Sequence, residues 1–235
     1  MRYSDLRPLD MTDTPELATT IYFSGCTHKC PGCHNESIQS FTTGKTFTSD
    51  TRQQFLEYAQ NPHVKMVAIL GGEPFQQDTD AMLSLLKDIH NLVKKPIWIW
   101  SGYTYEEILE DSKLSKLLPL IDILVDGKFI LEQRDPTLNY RGSRNQRIID
   151  VQYSLKSSAA SPILATTYYE KGEVNQLDKL IQFIKNELFI NSVQAQELLQ
   201  SYQVQKILEE VKSSSPMLSP TLDTVTSALL EIAKG

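Results

Sequence analysis

The chain has 235 residues, of which 40% are hydrophobic, and 29 acidic against 23 basic side chains give a net charge of −6. This length supports a buried core without cross-links, and the negative charge gives no general attraction to a nucleic-acid backbone. The three cysteines lie within eight positions, which argues against a disulfide framework and favours a reducing compartment. Neither a signal peptide nor an apolar stretch of 18 residues is recognisable, so we expect a cytoplasmic protein without a membrane span.

Strand-like and helix-like segments alternate through the first part of the chain. The hydrophobic patterns predict strands at 21–23, 65–70, 96–100 and 121–125, and helices at 49–60, 78–93 and from 104 onward. The capping-box pattern Thr-x-x-Glu at 104–107 marks the start of the third helix. This alternation predicts an α/β fold with a mostly parallel sheet and crossover helices.

The alternation ends near residue 155. Beyond it, the sequence predicts an amphipathic helix at 177–188, a Gln-rich helical stretch at 193–212 and a short helix at 220–234 after a Ser/Pro linker. We therefore expect a first domain at 1–155 and a helical C-terminal extension at 156–235. The extension carries no recognisable site residues, and we expect it to modify the docking of a partner.

Unusual loops follow each of the four predicted strands. In chain order they read CTHKCPGC, GGEP, SGY and DGKF. Because the carboxyl ends of parallel strands meet at one edge of a sheet, and ligands bind there, these four loops are expected to form one site.

The first loop contains Cys26, Cys30 and Cys33, in the spacing C-x3-C-x2-C. Thiolates at such spacing bind zinc or an iron–sulfur cluster. A structural zinc site requires a fourth ligand, which either His28 or His34 could supply. A cubane cluster normally takes four thiolates, so three of them would leave one iron open to a ligand.

The second loop, Gly71-Gly72-Glu73-Pro74, admits two interpretations. Two glycines allow a small ligand to approach the backbone closely, and a fixed Glu73 could accept hydrogen bonds from a ligand ammonium group. The alternative is an ordinary strand-to-helix turn with a solvated glutamate.

These motifs carry a family resemblance that covers about residues 17–153. The segments YFSGCTHKCPGCHN and LGGEPF resemble the radical S-adenosylmethionine superfamily, and together with SGYTYEE, LVDGKF and RGSRNQR they are similar to the activases of anaerobic ribonucleoside-triphosphate reductases. The resemblance implies an incomplete (β/α) barrel of radical S-adenosylmethionine type. The segment DMTDTPELATT departs from the family pattern, since it lacks the glycine-containing element common before the first strand.

The resemblance also implies two cofactors, a [4Fe-4S] cluster and S-adenosylmethionine. Cys26, Cys30 and Cys33 would each ligate one iron, and the amino and carboxylate groups of the methionine moiety would chelate the fourth. Glu73 and the adjacent glycine backbone would hold the amino group. The residues that the resemblance places at S-adenosylmethionine are Gly71, Gly72, Glu73, Pro74, Ser101, Gly102 and Tyr103.

The implied activity is radical chemistry on a protein partner. Reductive cleavage of S-adenosylmethionine would yield a 5′-deoxyadenosyl radical, which would abstract a hydrogen from a glycine in the glycyl radical subunit of the reductase. The electron would come from a flavodoxin-like donor. The alternatives are an activase of pyruvate formate-lyase or another glycyl radical enzyme and, in a different class, a non-catalytic zinc-binding interaction module. The sequence assigns no catalytic side chain beyond these cofactor ligands.

Several other residues keep two interpretations. These are Arg141, Arg144 and Arg147 (a solvated loop, or docking and cofactor binding), Asp126 (a turn or the site), and His34 with Asn35 (packing beside the cofactor adenine, or a helix cap by Asn35). Trp98 and Trp100 alternate on a predicted strand and are expected in the core.

Overall fold

An open sheet of eight strands forms the centre of the part of the chain that the structure describes. The computed structural model describes residues 1–156 and 162–165. The strands in this part of the chain are β1 (Arg2–Asp10), β2 (Ala18–Phe23), β3 (Lys45–Thr46), β4 (Met66–Gly71), β5 (Ile97–Trp100), β6 (Ile123–Asp126), β7 (Arg147–Asp150) and β8 (Ile163–Leu164). Their order is β3-β1-β2-β4-β5-β6-β7-β8, and because β3 and β8 do not pair with each other, the sheet does not close within these residues.

The centre and the flanks of the sheet differ in strand direction. Strands β2, β4, β5 and β6 are parallel neighbours, and they are the four strands that the sequence predicts. The flanking pairs are antiparallel, so the expectation of a mostly parallel sheet is wrong outside this centre. The sequence gives little sign of β1, because this strand is half-exposed and polar over most of its length.

The helices cover one side of the sheet. They are α1 (Ser49–Gln60), α2 (Thr79–Asp88), α3 (Tyr105–Glu110) and α4 (Val151–Lys156). The bounds predicted for α1 and the capping box predicted before α3 are confirmed. The helix predicted at 78–93 is α2 followed by a π-helical turn, Ile89–Val93. None of the helices in the described residues is long and apolar enough to cross a membrane.

The two faces of the sheet bury different sets of side chains, as the two-residue period of a strand requires. One face packs on the helices through Ile21, Phe23, Val67, Ile69, Ile97, Ile99, Leu124 and Ile149. The other face carries Ala18, Tyr22, Met66, Ala68, Leu70, Trp98, Ile123, Val125 and Ile148. The expectation for Trp98 is confirmed, since it is 1% exposed, whereas Trp100 is only partly buried.

The described residues belong to one compact unit, Met1–Glu170. Strand β8 pairs with β7 through Leu164 and Ile149, so the sheet continues past residue 155. The helices predicted at 177–188, 193–212 and 220–234 lie outside the described residues. The division into domains at residue 155 therefore stays a prediction.

A buried ion pair fixes the carboxyl end of β6. Asp126 is fully buried and accepts hydrogen bonds from Arg147 Nε (2.9 Å), Arg147 Nη2 (2.5 Å) and the backbone N–H of Tyr105 (2.7 Å). The same guanidinium donates to both carboxylate oxygens of Glu106, at 3.0 and 2.6 Å. These bonds raise the pKa of Arg147, with the bond to Asp126 the largest cause. The pair ties β6 and β7 to α3 and makes Asp126 a structural residue.

Removing the guanidinium from this network should be costly. We expect Arg147→Ala to reduce the free energy of unfolding by about 3–5 kcal/mol, because it leaves the carboxylate of Asp126 buried without its cation. Arg144→Ala is the matched control from the same RGSRNQR segment, since the exposed Arg144 pairs with Asp135 and should contribute about 0–1 kcal/mol. Urea unfolding of the full chain measures both, and equal losses would contradict the structural role of Arg147.

The contact between Glu106 and Arg147 should also appear in the pH dependence of stability. The hydrogen bond from Arg147 is the largest cause that lowers the pKa of Glu106. A folded-state pKa below the unfolded value stabilises the protein above about pH 4.3, and this stabilisation is lost as the pH falls through the lowered pKa.

Glu106→Gln should therefore cost up to about 1 kcal/mol at pH 7, since the carboxyl is partly exposed. The difference from the wild-type protein should shrink as the pH approaches 3. Unfolding curves across this range provide the measurement. Glu110→Gln on the same helix is the control, and a difference independent of pH would contradict the assignment.

Candidate functional site

The loops after the parallel strands line one cavity of about 610 Å³. The predicted site residues that line it are Cys26, Cys30, Cys33, Gly71, Gly72, Glu73, Ser101 and Gly102. Two predicted residues, Pro74 and Tyr103, lie outside the lining. The parallel centre of the sheet thus brings the four loops to one place, as expected from the strand order.

The cysteine loop begins where β2 ends, and Gly25 turns the chain there with a φ of 105°. All three cysteines are free and half-buried. Burial is the largest cause that raises the pKa of Cys26, and burial followed by the neighbouring Cys33 raises the pKa of Cys30. Binding of a metal as thiolates therefore has to release protons from these sulfurs.

The carboxylate of Glu73 accepts four hydrogen bonds at the site, and only 1% of the residue is exposed. Its Oε1 accepts from the backbone N–H of Phe75 (3.1 Å) and from Ser101 Oγ (2.9 Å). Its Oε2 accepts from the backbone N–H of Gly102 (2.7 Å) and from His28 Nε2 (3.0 Å). These donors fill the acceptor positions of a carboxylate. The solvated-turn interpretation of Glu73 is therefore wrong, while a contact to a ligand ammonium group stays a prediction.

Glycines allow the same three loops to touch. A Cβ atom on Gly72 would lie 2.4 Å from the carbonyl oxygen of Gly25, and one on Gly102 would lie 2.4 Å from the ring of His28. A larger residue at Gly72 would push two backbone segments apart, and one at Gly102 would displace the His28 ring that bonds to Glu73. The second glycine of the GGEP loop is thus required by contact with the cysteine loop itself.

Further hydrogen bonds join the loops. The Nδ2 group of Asn35 donates to the carbonyl of Gly71 at 2.8 Å, so its predicted role as a helix cap is wrong. The Oε1 atom of Gln76 accepts from the backbone N–H of Thr27 (2.7 Å), and its Nε2 donates to Tyr103 Oη (3.1 Å). The sequence did not lead us to predict a role for Gln76, although its position directly after the GGEPF segment indicated that it lies near the site.

Pro74 and Tyr103 support the loops from outside the cavity. Pro74 is buried and begins a 3-10 turn, Pro74–Gln76, in which its missing N–H costs no hydrogen bond. The ring of Tyr103 packs edge-on against His28, with centroids 4.7 Å apart. Both residues thereby stabilise loops whose other residues line the cavity.

Part of the cavity wall was not predicted. It comes from β1 and the loop after it, with Asp5, Arg7 and Asp13, and from Tyr22 on β2. The hydroxyl of Tyr22 donates to Asp13 at 2.8 Å, and burial raises the pKa of this carboxyl. Alternation of Asp5 and Arg7 was a period-2 signal for β1, but a mixed-charge pattern does not indicate which face is buried.

The three arginines of the RGSRNQR segment separate into different roles. Arg147 belongs to the buried ion pair at β6, and Arg144 forms an exposed pair with Asp135. Arg141 lines the cavity, and its Nη1 donates to the backbone carbonyls of Arg144 and Gln146. The interpretation as a solvated basic loop therefore applies to Arg144 alone.

The DGKF loop also reaches the cysteines. Gly127 and Phe129 line the cavity. Burial and the neighbouring Cys33 are the two largest influences on the pKa of Cys30, and both raise it. The next two are the backbone amide of Phe129 and the charge of Lys128, and both lower this pKa. This loop contributes a dipole and a positive charge beside one sulfur.

The donor arrangement fits a cluster better than a single zinc ion. Among the described residues, no three His, Cys, Asp or Glu side chains converge on a position for one metal ion. His28 Nε2 bonds to the carboxylate of Glu73 at 3.0 Å, so this ring nitrogen is already occupied. A cubane takes each thiolate on a different iron, so its ligands stand apart around a larger volume.

Comparison with known proteins agrees with this chemistry. A family model described as a 4Fe-4S single cluster domain matches residues 15–149. A relative from Vibrio cholerae, the anaerobic ribonucleoside-triphosphate reductase-activating protein, is 39% identical over 63% of this chain and 97% of its own length. The chain belongs to the family of these activating proteins. Members with the same name from Escherichia coli K12 (34% identical, 62% of this chain, 96% of theirs) and phage T4 (30%, 63% and 93%) align over similar lengths.

In this member of the activating-protein family, we expect Glu73→Gln to destabilise the fold. One end of the new side-chain amide is an NH₂ group, which would point its own N–H donors at two of the four groups that donate to the carboxylate. These buried donors would then lack an acceptor. We expect a loss of about 2–3 kcal/mol, measured by unfolding of the full chain without iron. Glu57→Gln, at an exposed glutamate on α1, should stay within about 0.5 kcal/mol. Equal stability of both variants would contradict the central role of Glu73.

Proposed function

We propose that this protein is a radical S-adenosylmethionine activase that generates a glycyl radical on an anaerobic ribonucleoside-triphosphate reductase. The observation that carries the proposal is the juxtaposition of three free cysteines with the GGEP and SGY loops around one cavity. Relatives of the same family name align along nearly their whole length with the part of the chain that builds this cavity.

Cys26, Cys30 and Cys33 would hold a [4Fe-4S] cluster with one iron left open. A cluster held there would supply the one electron needed for reductive cleavage of S-adenosylmethionine to methionine and a 5′-deoxyadenosyl radical, which would take a hydrogen atom from a partner glycine. The chain itself provides ligation, orientation and exclusion of water.

The loops around the cavity would orient S-adenosylmethionine. The Gly71–Gly72 backbone and Glu73 would hold its amino group, with Ser101 and Gly102 nearby and with Pro74 and Tyr103 in support. Because the carboxylate of Glu73 already accepts four hydrogen bonds, the ligand ammonium would have to replace one of these donors.

The open sheet agrees with an incomplete barrel of radical S-adenosylmethionine type, in which the cavity remains accessible to a protein segment. The remaining parts of the proposal are a flavodoxin-like electron donor and a location in the cytoplasm. A zinc-binding module is less well supported, because the three sulfurs and two histidines of the loop do not converge on one ion among the described residues.

The test is anaerobic reconstitution of the full chain with iron and sulfide, followed by EPR spectroscopy. We expect a reduced-cluster signal that changes when S-adenosylmethionine is added. Mixing with an anaerobic ribonucleoside-triphosphate reductase should then produce a glycyl radical signal. Cys30→Ser should abolish the ligand-sensitive signal and reduce activation at least about 100-fold, since a cluster ligand is lost.

Thr27→Ala is the matched control in the same loop. Thr27 is exposed and contributes its backbone N–H to Gln76, so this variant keeps both the thiols and the hydrogen bond. A glycyl radical formed only on pyruvate formate-lyase would assign the protein to the alternative activase. Tightly bound zinc without any cluster would favour the interaction module and overturn the proposal.

A further inference from the structure

The DGKF and RGSRNQR motifs meet beside the cysteine loop. Strands β6 and β7 are antiparallel, with Asp126 opposite Arg147, so the residues after β6 run next to those before β7. Asn145 Nδ2 donates to the carbonyl of Lys128 at 2.8 Å, and Gln146 Nε2 donates to the carbonyl of Gly127 at 3.0 Å. Two successive backbone carbonyls are thereby held by two adjacent side chains.

A buried hydroxyl fixes the orientation of the Asn145 amide. Ser143 is fully buried, and its Oγ accepts from the backbone N–H of Ile130 (3.2 Å) while donating to Asn145 Oδ1 (2.7 Å). With its oxygen occupied in this way, Asn145 presents its NH₂ group to the carbonyl of Lys128. These hydrogen bonds run from the N–H of Ile130 to the carbonyl of Lys128, and both groups belong to the short loop after β6.

The N–H of the held peptide lies on the side opposite Asn145. In a trans peptide the carbonyl oxygen and the N–H point in opposite directions, so fixing the Lys128 carbonyl also fixes the N–H of Phe129. Phe129 and Cys30 line the same cavity. Two residues further on, Leu131 covers the cysteine loop at Gly32, where an added Cβ would lie 2.9 Å from the leucine side chain.

We propose that Asn145 is a positioning residue that directs the N–H of Phe129 at the sulfur of Cys30, and that it thereby raises the reduction potential of the [4Fe-4S] cluster. This inference rests on the proposed function. Hydrogen bonds to the sulfurs are among the determinants of cluster potential. A donor at the sulfur stabilises the added negative charge when one electron from a reductant enters the cluster, and no covalent bond changes in that step.

The experiment is a dithionite titration of the reconstituted full chain, in the absence of S-adenosylmethionine, with the reduced cluster followed by EPR. We expect Asn145→Ala to shift the midpoint potential to a more negative value. The equilibrium constant for reduction of the cluster should fall by up to about tenfold. A tenfold change corresponds to about 59 mV for a one-electron couple. An unchanged midpoint in a variant with an intact cluster would overturn the proposal.

Two further variants separate this role from a structural one. Gln152→Ala also removes a side-chain amide that donates to backbone carbonyls, those of Pro119 and Ile121, but it lies outside the cavity lining. It should lower stability without moving the potential. Ser143→Ala keeps the Asn145 amide but frees its orientation, and should shift the potential in the same direction as Asn145→Ala by a smaller amount.

The Ser143 variant decides the question if Asn145→Ala cannot hold a cluster. Loss of the cluster in both variants would assign these residues to loop structure alone and overturn the inference. Failure of the wild-type protein to bind a cluster is a different outcome, because it would overturn the proposed function first and the inference with it.

Discussion

A carboxylate in the interior needs hydrogen-bond donors in place of water, and Glu73 takes its four donors from three separate loops. His28 belongs to the cysteine loop, Ser101 and Gly102 follow β5, and Phe75 follows Glu73 itself. Moving any one loop would leave a buried acceptor unsatisfied. The positions of the three sulfurs are therefore coupled to a residue that lies 40 or more positions away in the sequence. The remaining features of the site are compatible with this coupling.

The sheet explains why the coupling is possible. Parallel strands deliver successive loops to the same edge, and the distances between them are set by the spacing of neighbouring strands. At that spacing, a side chain on Gly72 or Gly102 would collide with the cysteine loop, so both glycines are consequences of topology as well as of ligand access. The antiparallel flank adds a second kind of contact, since β6 and β7 place Asn145 beside Lys128.

The central strands, the helices between them and the placement of the loops could be predicted, because each depends on local periodicity and on a general rule about strand ends. The functions of single polar side chains could not. Asn35 follows the cysteines and is a residue type that often caps helices. Its side-chain amide instead donates a hydrogen bond to the carbonyl of Gly71, which is distant in sequence. Likewise, the polar strand β1 gives no hydrophobic alternation, so its contribution of Arg7 to the cavity is visible only in the folded chain.

Charge compensation limits what the basic loop can do. The chain carries a net charge of −6, yet Arg147 is committed to Asp126 and Glu106, and Arg144 to Asp135. A cluster with three thiolates would add further negative charge to the cavity. Beside Cys30, the backbone amide of Phe129 and the charge of the exposed Lys128 both lower the pKa of the thiol. Salt screens an exposed lysine more strongly than a backbone amide in the cavity wall, so the effect of the Phe129 amide should depend less on ionic strength than that of Lys128.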